Sequence, residues 1–124
     1  MNKEQYVTFE IAKLLKEKGF NIPSDTSYED CLWEMYDEDG NVHWGMYSSD
    51  WYFRITMQMA CDWLMTEKHI FIGKSFVKDK ETLDFVFQSP IFNMDTGELI
   101  TTICAFCPED AVEAALQYCL KNII

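Results

Sequence analysis

The sequence predicts an α+β fold in which an antiparallel sheet carries helices packed mainly on one face. Amphipathic helical patterns occupy both ends of the chain, and strand-like runs separated by turn residues fill most of the interval between them. The apolar fraction of 48% is too high for a disordered chain. The expected order is α-β-β-α-β-β-β-α. A length of 124 residues favours one domain, so residues 1–124 are expected to form a single domain.

The first helix is expected at the start of the chain. Asn2 and Gln5 have the spacing of a capping box. Gly19 suits the left-handed position that ends a helix, and Pro23 prevents continuation. The apolar stripe between these signals comprises Val7, Ile11, Leu14 and Leu15.

Two strands and a second helix are expected next. Residues 31–36 and 42–47 read as strands joined by the acidic turn 37–41, whose Asp-Gly pair is typical of hairpins. If these strands pair, Trp33 and Trp44 are expected to approach each other. Ser48, Ser49 and Asp50 then read as caps of a helix that ends near Lys68, with a stripe of Ile55, Met59 and Trp63. Residues 51–53 could instead extend the preceding strand.

Three further strands are expected at residues 69–76, 83–88 and 99–106. Pro90 interrupts the second of them, which is therefore expected to kink or to lie at a sheet edge. Gly97 is free to adopt positive φ in the turn 93–98.

The last helix is expected to begin at Pro108, a favoured first-turn residue, with Ala111, Ala115 and Cys119 on its apolar stripe. Both terminal helices are expected to bury their stripes against strands between residues 70 and 106.

The charge distribution limits the partners of this chain. Ten acidic residues, all four tryptophans and only one base, Arg54, fall between residues 19 and 67, and the whole chain has a net charge of −11. A negatively charged surface repels phosphate backbones, so the protein is not expected to bind nucleic acids. No apolar run approaches the roughly 20 residues of a membrane span. The chain also begins without an apolar signal segment, so a cytoplasmic location is expected.

The cysteines and histidines give weak signals for chemistry. Cys104 and Cys107 form a Cys-x-x-Cys pair where a strand turns into a helix, an arrangement that can activate a thiol but is more often structural. The five cysteines are expected to be reduced, and no second pair completes a zinc site. Neither His43 nor His69 belongs to a metal-binding spacing. The turn 37–41 lacks the ligand pattern of a calcium loop. No catalytic residue, metal site or cofactor is therefore assigned.

The aromatic residues of the acidic middle are the best candidates for a binding surface. Aromatic side chains with polar ends are enriched in binding hot spots, and nearby carboxylates favour a cationic partner. The competing interpretation is that a small sheet uses the same residues for its core. The candidate surface comprises Trp33, Tyr36, Asp37, Glu38, Asp39, Trp44, Tyr47 and Trp51.

Three segments carry a family resemblance: residues 1–20 (MNKEQYVTFEIAKLLKEKGF), 57–72 (MQMACDWLMTEKHIFI) and 109–123 (EDAVEAALQYCLKNI). Together they resemble small uncharacterised proteins of phages, prophages and mobile elements from gut Bacteroides-type bacteria. The resemblance implies an accessory protein that acts in the cytoplasm of a bacterial host. It implies no activity and no site residues.

These observations lead to three functional hypotheses. The first is a non-enzymatic, acidic protein-interaction module that binds a protein with a basic surface, one version being an inhibitor of host defence that imitates nucleic-acid charge. The alternative is a small-ligand-binding, sponge-like protein with a pocket between the aromatic hairpin and the second helix. The third is a thiol-dependent enzyme that uses Cys107. A homodimer is compatible with each of them.

Overall fold

The computed structural model of the protein describes residues 5–20 and 32–124. It confirms the α+β class, because three helices accompany sheets whose strands all pair antiparallel. Two sheets are present in the described residues where the sequence led us to expect one: a three-stranded sheet and a four-stranded sheet. The chain divides into two compact units, Met1–Thr56 and Met57–Ile124. The single domain stays a prediction.

The first unit contains one helix and the three-stranded sheet. Helix α1 spans Phe9–Glu17, and strands β1, β2 and β3 span Leu32–Tyr36, Val42–Met46 and Tyr52–Phe53. The strand order is β2-β1-β3, so β1 is central, and α1 lies against β3. The buried apolar residues of this unit are Val7, Ile11, Ala12, Leu15, Met35, Tyr36 and Ile55.

Helix α1 begins later than the sequence predicts. Thr8 is its N-cap, and the Thr8 hydroxyl accepts a hydrogen bond from the N–H of Ile11 at 3.3 Å. Residues before the cap are extended because the N–H of Val7 donates to the carbonyl of Ile55 at 2.9 Å. The proposed cap Asn2 lies outside the described residues. The end of α1 agrees with the prediction, since Gly19 adopts a φ of +92°.

The second helix also begins later than predicted. Residues 48–51 form a turn, and Tyr52–Phe53 pair with β1, which is the alternative that the sequence left open. Helix α2 spans Met57–Lys68 and opens the second unit. The stripe built on Met59 was wrong, because this side chain is exposed and the helix instead buries Met57, Ala60 and Leu64.

The second unit combines α2 with a four-stranded sheet and the last helix. Strands β4 to β7 span Ile70–Ile72, Ser75–Lys78, Phe85–Asn93 and Leu99–Ala105. Helix α3 spans Pro108–Tyr118 and continues as a π-helical segment, Cys119–Ile123. Strand β6 is central, with β4 and β5 along one side and β7 along the other. Helix α3 lies against β6 and β7, and α2 lies against β4.

Pro90 lies inside the central strand β6, so the prediction of an edge strand was wrong. Its carbonyl accepts a hydrogen bond from the N–H of Gly73 at 2.8 Å. The amide nitrogen and carbonyl of a strand residue point to the same side, so the missing N–H of Pro90 faces the break between β4 and β5. This geometry explains why the expected strand 69–76 is divided at residues 73–74. The pairing of β6 with β7 also shifts in register between Ile91 and Phe92.

The last helix agrees closely with the sequence. Helix α3 begins at Pro108, and the predicted stripe Ala111, Ala115 and Cys119 is buried. In α1, Ile11 and Leu15 are buried and Leu14 is half-buried. Within the first unit, α1 lies against β3, a strand outside the 70–106 region that was expected to receive it. None of the helices in the described residues has the length and apolar character needed to cross a bilayer.

Candidate binding surface

The register of β1 and β2 decides which aromatic residues share a face. Trp33 lies opposite Gly45, and Glu34 lies opposite Trp44. Because successive strand residues point to opposite faces, Trp33 and Trp44 project on opposite sides of the sheet. The expected approach of these two indoles was therefore wrong.

Trp33 and Tyr47 pack around a residue that the sequence reasoning missed, Phe53 of β3. The Phe53 ring centroid lies 5.4 Å from that of Trp33 in an edge-on contact and 5.6 Å from that of Tyr47 in a stacked one. Phe20, just after α1, adds a third contact at 6.4 Å. These distances are typical of favourable aromatic pairs. Trp33 is half-buried in this packing, whereas Tyr47 remains 37% exposed, as expected of a surface residue.

Tyr36 is part of the core and is not a surface residue. Its side chain is only 8% exposed, its hydroxyl donates to the carbonyl of Val7 at 2.5 Å, and its ring lies 5.7 Å from that of Phe9. A buried tyrosine needs a hydrogen-bond partner for its hydroxyl, and the extended residues before α1 supply one. Tyr36 cannot reach a partner protein in this conformation.

Trp51 is half-buried and held from two directions. Its indole stacks on the His43 ring with centroids 4.6 Å apart. The Nζ of Lys16 donates to the carbonyl of Trp51 at 3.1 Å and also to the carbonyl of Ser49. Trp51 therefore helps to fix the loop after β2.

Four exposed apolar side chains form one continuous strip, which we call the apolar patch: Leu32 (53% exposed), Val42 (52%), Trp44 (66%) and Met46 (62%). Val42, Trp44 and Met46 alternate along β2, and Leu32 is the cross-strand partner of Met46, so all four share one face. Of these four residues, only Trp44 belonged to the surface predicted from the sequence. The alternation of apolar residues in Val-His-Trp-Gly-Met, residues 42–46, indicates that Val42 and Met46 share the face of Trp44.

The acidic turn has one structural carboxylate. Asp37 accepts hydrogen bonds from the N–H groups of Asp39 and Asn41, each at 2.9 Å, and contacts His43 Nε2 at 2.7 Å. The hydrogen bond from His43, followed by that from Asn41, lowers the pKa of Asp37 from 3.8 to about 2. Glu38 and Asp39 are exposed and supply charge to the surface.

We expect this carboxylate to give the protein a specific acid sensitivity. Since the pKa of Asp37 is lower in the folded state, its stabilisation is complete above pH 3.8 and is lost as the pH falls toward about 2. Asp37→Asn should therefore lose less stability than the natural chain between pH 4 and pH 2. Chemical unfolding across that range measures it, with Glu38→Gln as the control. An unchanged pH profile in Asp37→Asn would contradict the role assigned to this carboxylate.

Arg54, the single base of the acidic segment, forms an ion pair and a cation–π contact within the first unit. Arg54 Nη1 lies 2.6 Å from Glu34 Oε2, and the guanidinium carbon lies 4.1 Å from the centroid of the Tyr6 ring. Residues 32–51 contain five acids and neither lysine nor arginine. With Glu34 paired to Arg54, the acids at positions 37, 38, 39 and 50 remain around β2.

The concave sites have modest volumes. A cleft of about 70 Å³ in the first unit is lined by Ala12, Leu15, Lys16, Phe20, Tyr47, Trp51 and Phe53. A cleft of about 230 Å³ in the second unit is lined by Lys74, Ser75, Phe76, Phe87, Gln88, Ser89 and Pro108. Sites for drug-sized ligands usually enclose roughly 300–1,000 Å³. The cleft that the described aromatic residues Phe20, Tyr47, Trp51 and Phe53 line in the first unit is smaller than this range.

The four described cysteines form no pair with a histidine that would activate a thiol as a nucleophile. Cys107 is the N-cap of α3, and its Sγ donates to Glu109 Oε2 at 2.7 Å. His69 pairs instead with Asp95, at 2.8 Å. Burial raises the pKa of Cys61 to about 11 and that of Cys119 to about 12. Both therefore favour the unreactive protonated form.

Metal ligands are equally dispersed. Cys61, Cys104, Cys107 and Cys119 are free thiols, and within residues 5–20 and 32–124 no three acidic, histidine or cysteine side chains gather as a metal site would require.

Comparisons with protein-family models, curated proteins and solved structures found no match to this chain.

Proposed function

We propose that this protein is a non-enzymatic interaction module that binds a protein with a basic surface through the apolar patch and the acidic turn. The observation that carries this proposal is the exposure of Trp44 at 66% between Val42 and Met46. Contiguous exposed apolar side chains rimmed by polar ones mark interaction sites, and tryptophan is the residue type most enriched in binding hot spots.

Charge supports a basic partner. The carboxylates of Glu38 and Asp39 extend from the turn at one end of β2, and Asp50 follows the other end. Charges at the rim of an interface mainly accelerate encounter with an oppositely charged partner, and salt screens this effect. A basic partner is therefore expected to bind faster at low salt.

The biological setting in this proposal rests on the resemblance of three segments to phage and mobile-element proteins. It makes the chain an accessory protein in the bacterial cytoplasm, and an inhibitor of a host defence protein is the specific version that we favour. The supporting property is the net charge of −11, which lets an acidic surface compete for a site built for phosphate backbones.

Small-ligand binding has less support. The aromatic cleft of the first unit has a volume of about 70 Å³, which leaves room for little more than a few atoms.

The test compares immobilised protein variants as baits in lysate from a Bacteroides-type host, at about 50 and 500 mM salt. We expect a basic protein that the natural chain retains at low salt and releases at high salt. Trp44→Ala should lower its retention by about thirtyfold, the equivalent of a hot-spot loss of about 2 kcal/mol.

The matched control is Phe106→Ala, which removes an aromatic side chain from the second unit that is even more exposed than Trp44, at 82% against 66%. Retention by this variant should equal that of the natural chain. Equal capture by the natural chain and by Trp44→Ala, with both variants folded by circular dichroism, would refute the proposed surface.

A further inference from the structure

We propose that the free edge of β2 binds an extended, basic peptide segment of the partner as an additional strand. This inference rests on the proposed function and specifies how its surface works. Strand addition of this kind uses main-chain hydrogen bonds for affinity and alternate side chains for specificity.

The direction of the β2 main-chain groups follows from the hydrogen-bond pattern of the hairpin. The N–H of Asp37 donates to the carbonyl of Asn41 at 2.9 Å, so this pair is a hydrogen-bonded one. Hydrogen-bonded and non-hydrogen-bonded pairs alternate along an antiparallel ladder. His43 and Gly45 therefore direct their N–H and C=O groups toward β1.

The alternate residues Val42, Trp44 and Met46 consequently direct their main-chain groups away from β1, toward the open edge. The other side of β1 provides an independent check. Glu34 lies opposite Trp44 in β1. Its main-chain carbonyl accepts a hydrogen bond at 3.0 Å from the main-chain N–H of Arg54, the residue that follows β3. Both hydrogen bonds therefore indicate that Trp44, like Val42 and Met46, directs its main-chain N–H and C=O groups away from β1.

Three residues of β2 offer a partner strand both an exposed side chain and main-chain groups that point away from β1. Val42, Trp44 and Met46 carry the exposed side chains of the apolar patch and also the outward main-chain groups. Natural edge strands are usually protected by lysine, proline or a bulge. Strand β2 contains neither lysine nor proline, and its five residues pair with β1 in continuous register. Among the strands that the structure describes, β1 alone pairs with β2, so the other edge of β2 is open to a further strand.

Charge selects a basic peptide over a second copy of the chain. Acids lie at both ends of β2, at positions 37–39 and at position 50, and residues 32–51 contain no lysine or arginine. An antiparallel pairing of two β2 edges would bring acidic ends of both copies together, which is unfavourable. A peptide that alternates lysine or arginine with apolar residues complements both the patch and its acidic ends.

The test uses a labelled ten-residue peptide of alternating lysine and valine, with both termini blocked, and measures binding by fluorescence polarisation. Two derivatives carry N-methyl groups on alternate amides, one on the odd positions and the other on the even positions. Strand addition requires only one set of amides to face β2. We therefore expect one methylated peptide to lose about tenfold or more in affinity while the other binds like the parent peptide.

A pair of protein variants tests the same hydrogen bonds from the other side. Met46→Ala and Met46→Pro both remove the thioether, but only the proline removes an outward N–H. Proline is tolerated where an edge-strand N–H faces solvent. Both variants should retain the fold by circular dichroism, and Met46→Pro should bind the peptide about fivefold to tenfold more weakly than Met46→Ala. If Met46→Pro unfolds, the outward direction assigned to this N–H is wrong.

The outcomes separate this inference from the proposed function. No binding of the parent peptide, or equal binding of both methylated peptides, would overturn strand addition. The proposed function would still stand if Trp44→Ala lost the captured basic protein. A concentration-dependent dimer in gel filtration that Met46→Pro abolishes would overturn the peptide as occupant in favour of a second copy.

Discussion

Leu116→Ala is expected to lower the free energy of unfolding of the second unit by about 3 kcal/mol, within the range of about 2–5 kcal/mol for leucine truncation in a core. Leu116 is fully buried on α3, which lies against β6 and β7. Truncation removes apolar contacts and leaves a cavity that the surrounding sheet fills only partly. Urea unfolding followed by far-ultraviolet circular dichroism measures the loss.

Leu99→Ala is the matched control, because the same side chain is exposed on β7. Its effect should stay within about 0.5 kcal/mol. Comparable losses for both variants would contradict the core assigned to α3.

Leu116→Ala also tests the expectation of a single domain. Trp33, Trp44 and Trp51 belong to the first unit, and only Trp63 belongs to the second, so tryptophan fluorescence mainly reports the first unit. One cooperative domain would unfold with coincident fluorescence and circular-dichroism transitions, both shifted by Leu116→Ala. A fluorescence transition whose midpoint is the same in Leu116→Ala and in the natural chain would contradict the single domain.

Elements bounded by local chemistry were predictable from the sequence. Pro108 begins α3, and Gly97 adopts a φ of +75° in the turn before β7. These signals act within a few residues, so they do not depend on the rest of the chain. The starts of α1 and α2 depend instead on long-range pairing, that of Val7 with Ile55 and that of β3 with β1. A cap-like sequence cannot reveal that its residues are paired elsewhere.

The candidate surface was partly predictable for a related reason. Tyr36 and Trp44 are both aromatic residues in adjacent strands, and their local patterns do not distinguish core from surface. The difference comes from Phe9 and Val7, which contact Tyr36 and lie 27 and 29 positions away along the chain. The alternation of Val42, Trp44 and Met46 was readable from the sequence, whereas their common exposure required the tertiary structure.

Gly40→Ala is expected to destabilise the first unit by about 2–5 kcal/mol, for two separable reasons. Gly40 has a φ of +87°, a conformation that costs a residue with a Cβ about 1–2 kcal/mol. An added Cβ would also lie 2.9 Å from Phe9 Cδ2, too close for two carbon atoms. Phe9 would have to move away from the Tyr36 and Tyr52 rings, which lie 5.7 and 5.6 Å from it. Losing such contacts costs about 0.5–1.5 kcal/mol each.

Gly19→Ala separates the two causes, because Gly19 has a similar φ of +92° but, within the described part of the chain, no atom beyond its own chain neighbours lies within 4 Å of an added Cβ. The backbone cost should therefore appear in both variants and the ring displacement only in Gly40→Ala. Gly40→Ala introduced into a Phe9→Ala background should show only the backbone cost, since the clashing ring is absent from both chains compared. Fluorescence-monitored urea unfolding of the three single variants and the Phe9→Ala/Gly40→Ala double variant measures these differences. Equal losses in Gly40→Ala and Gly19→Ala would show that Phe9 does not hold the acidic turn against α1.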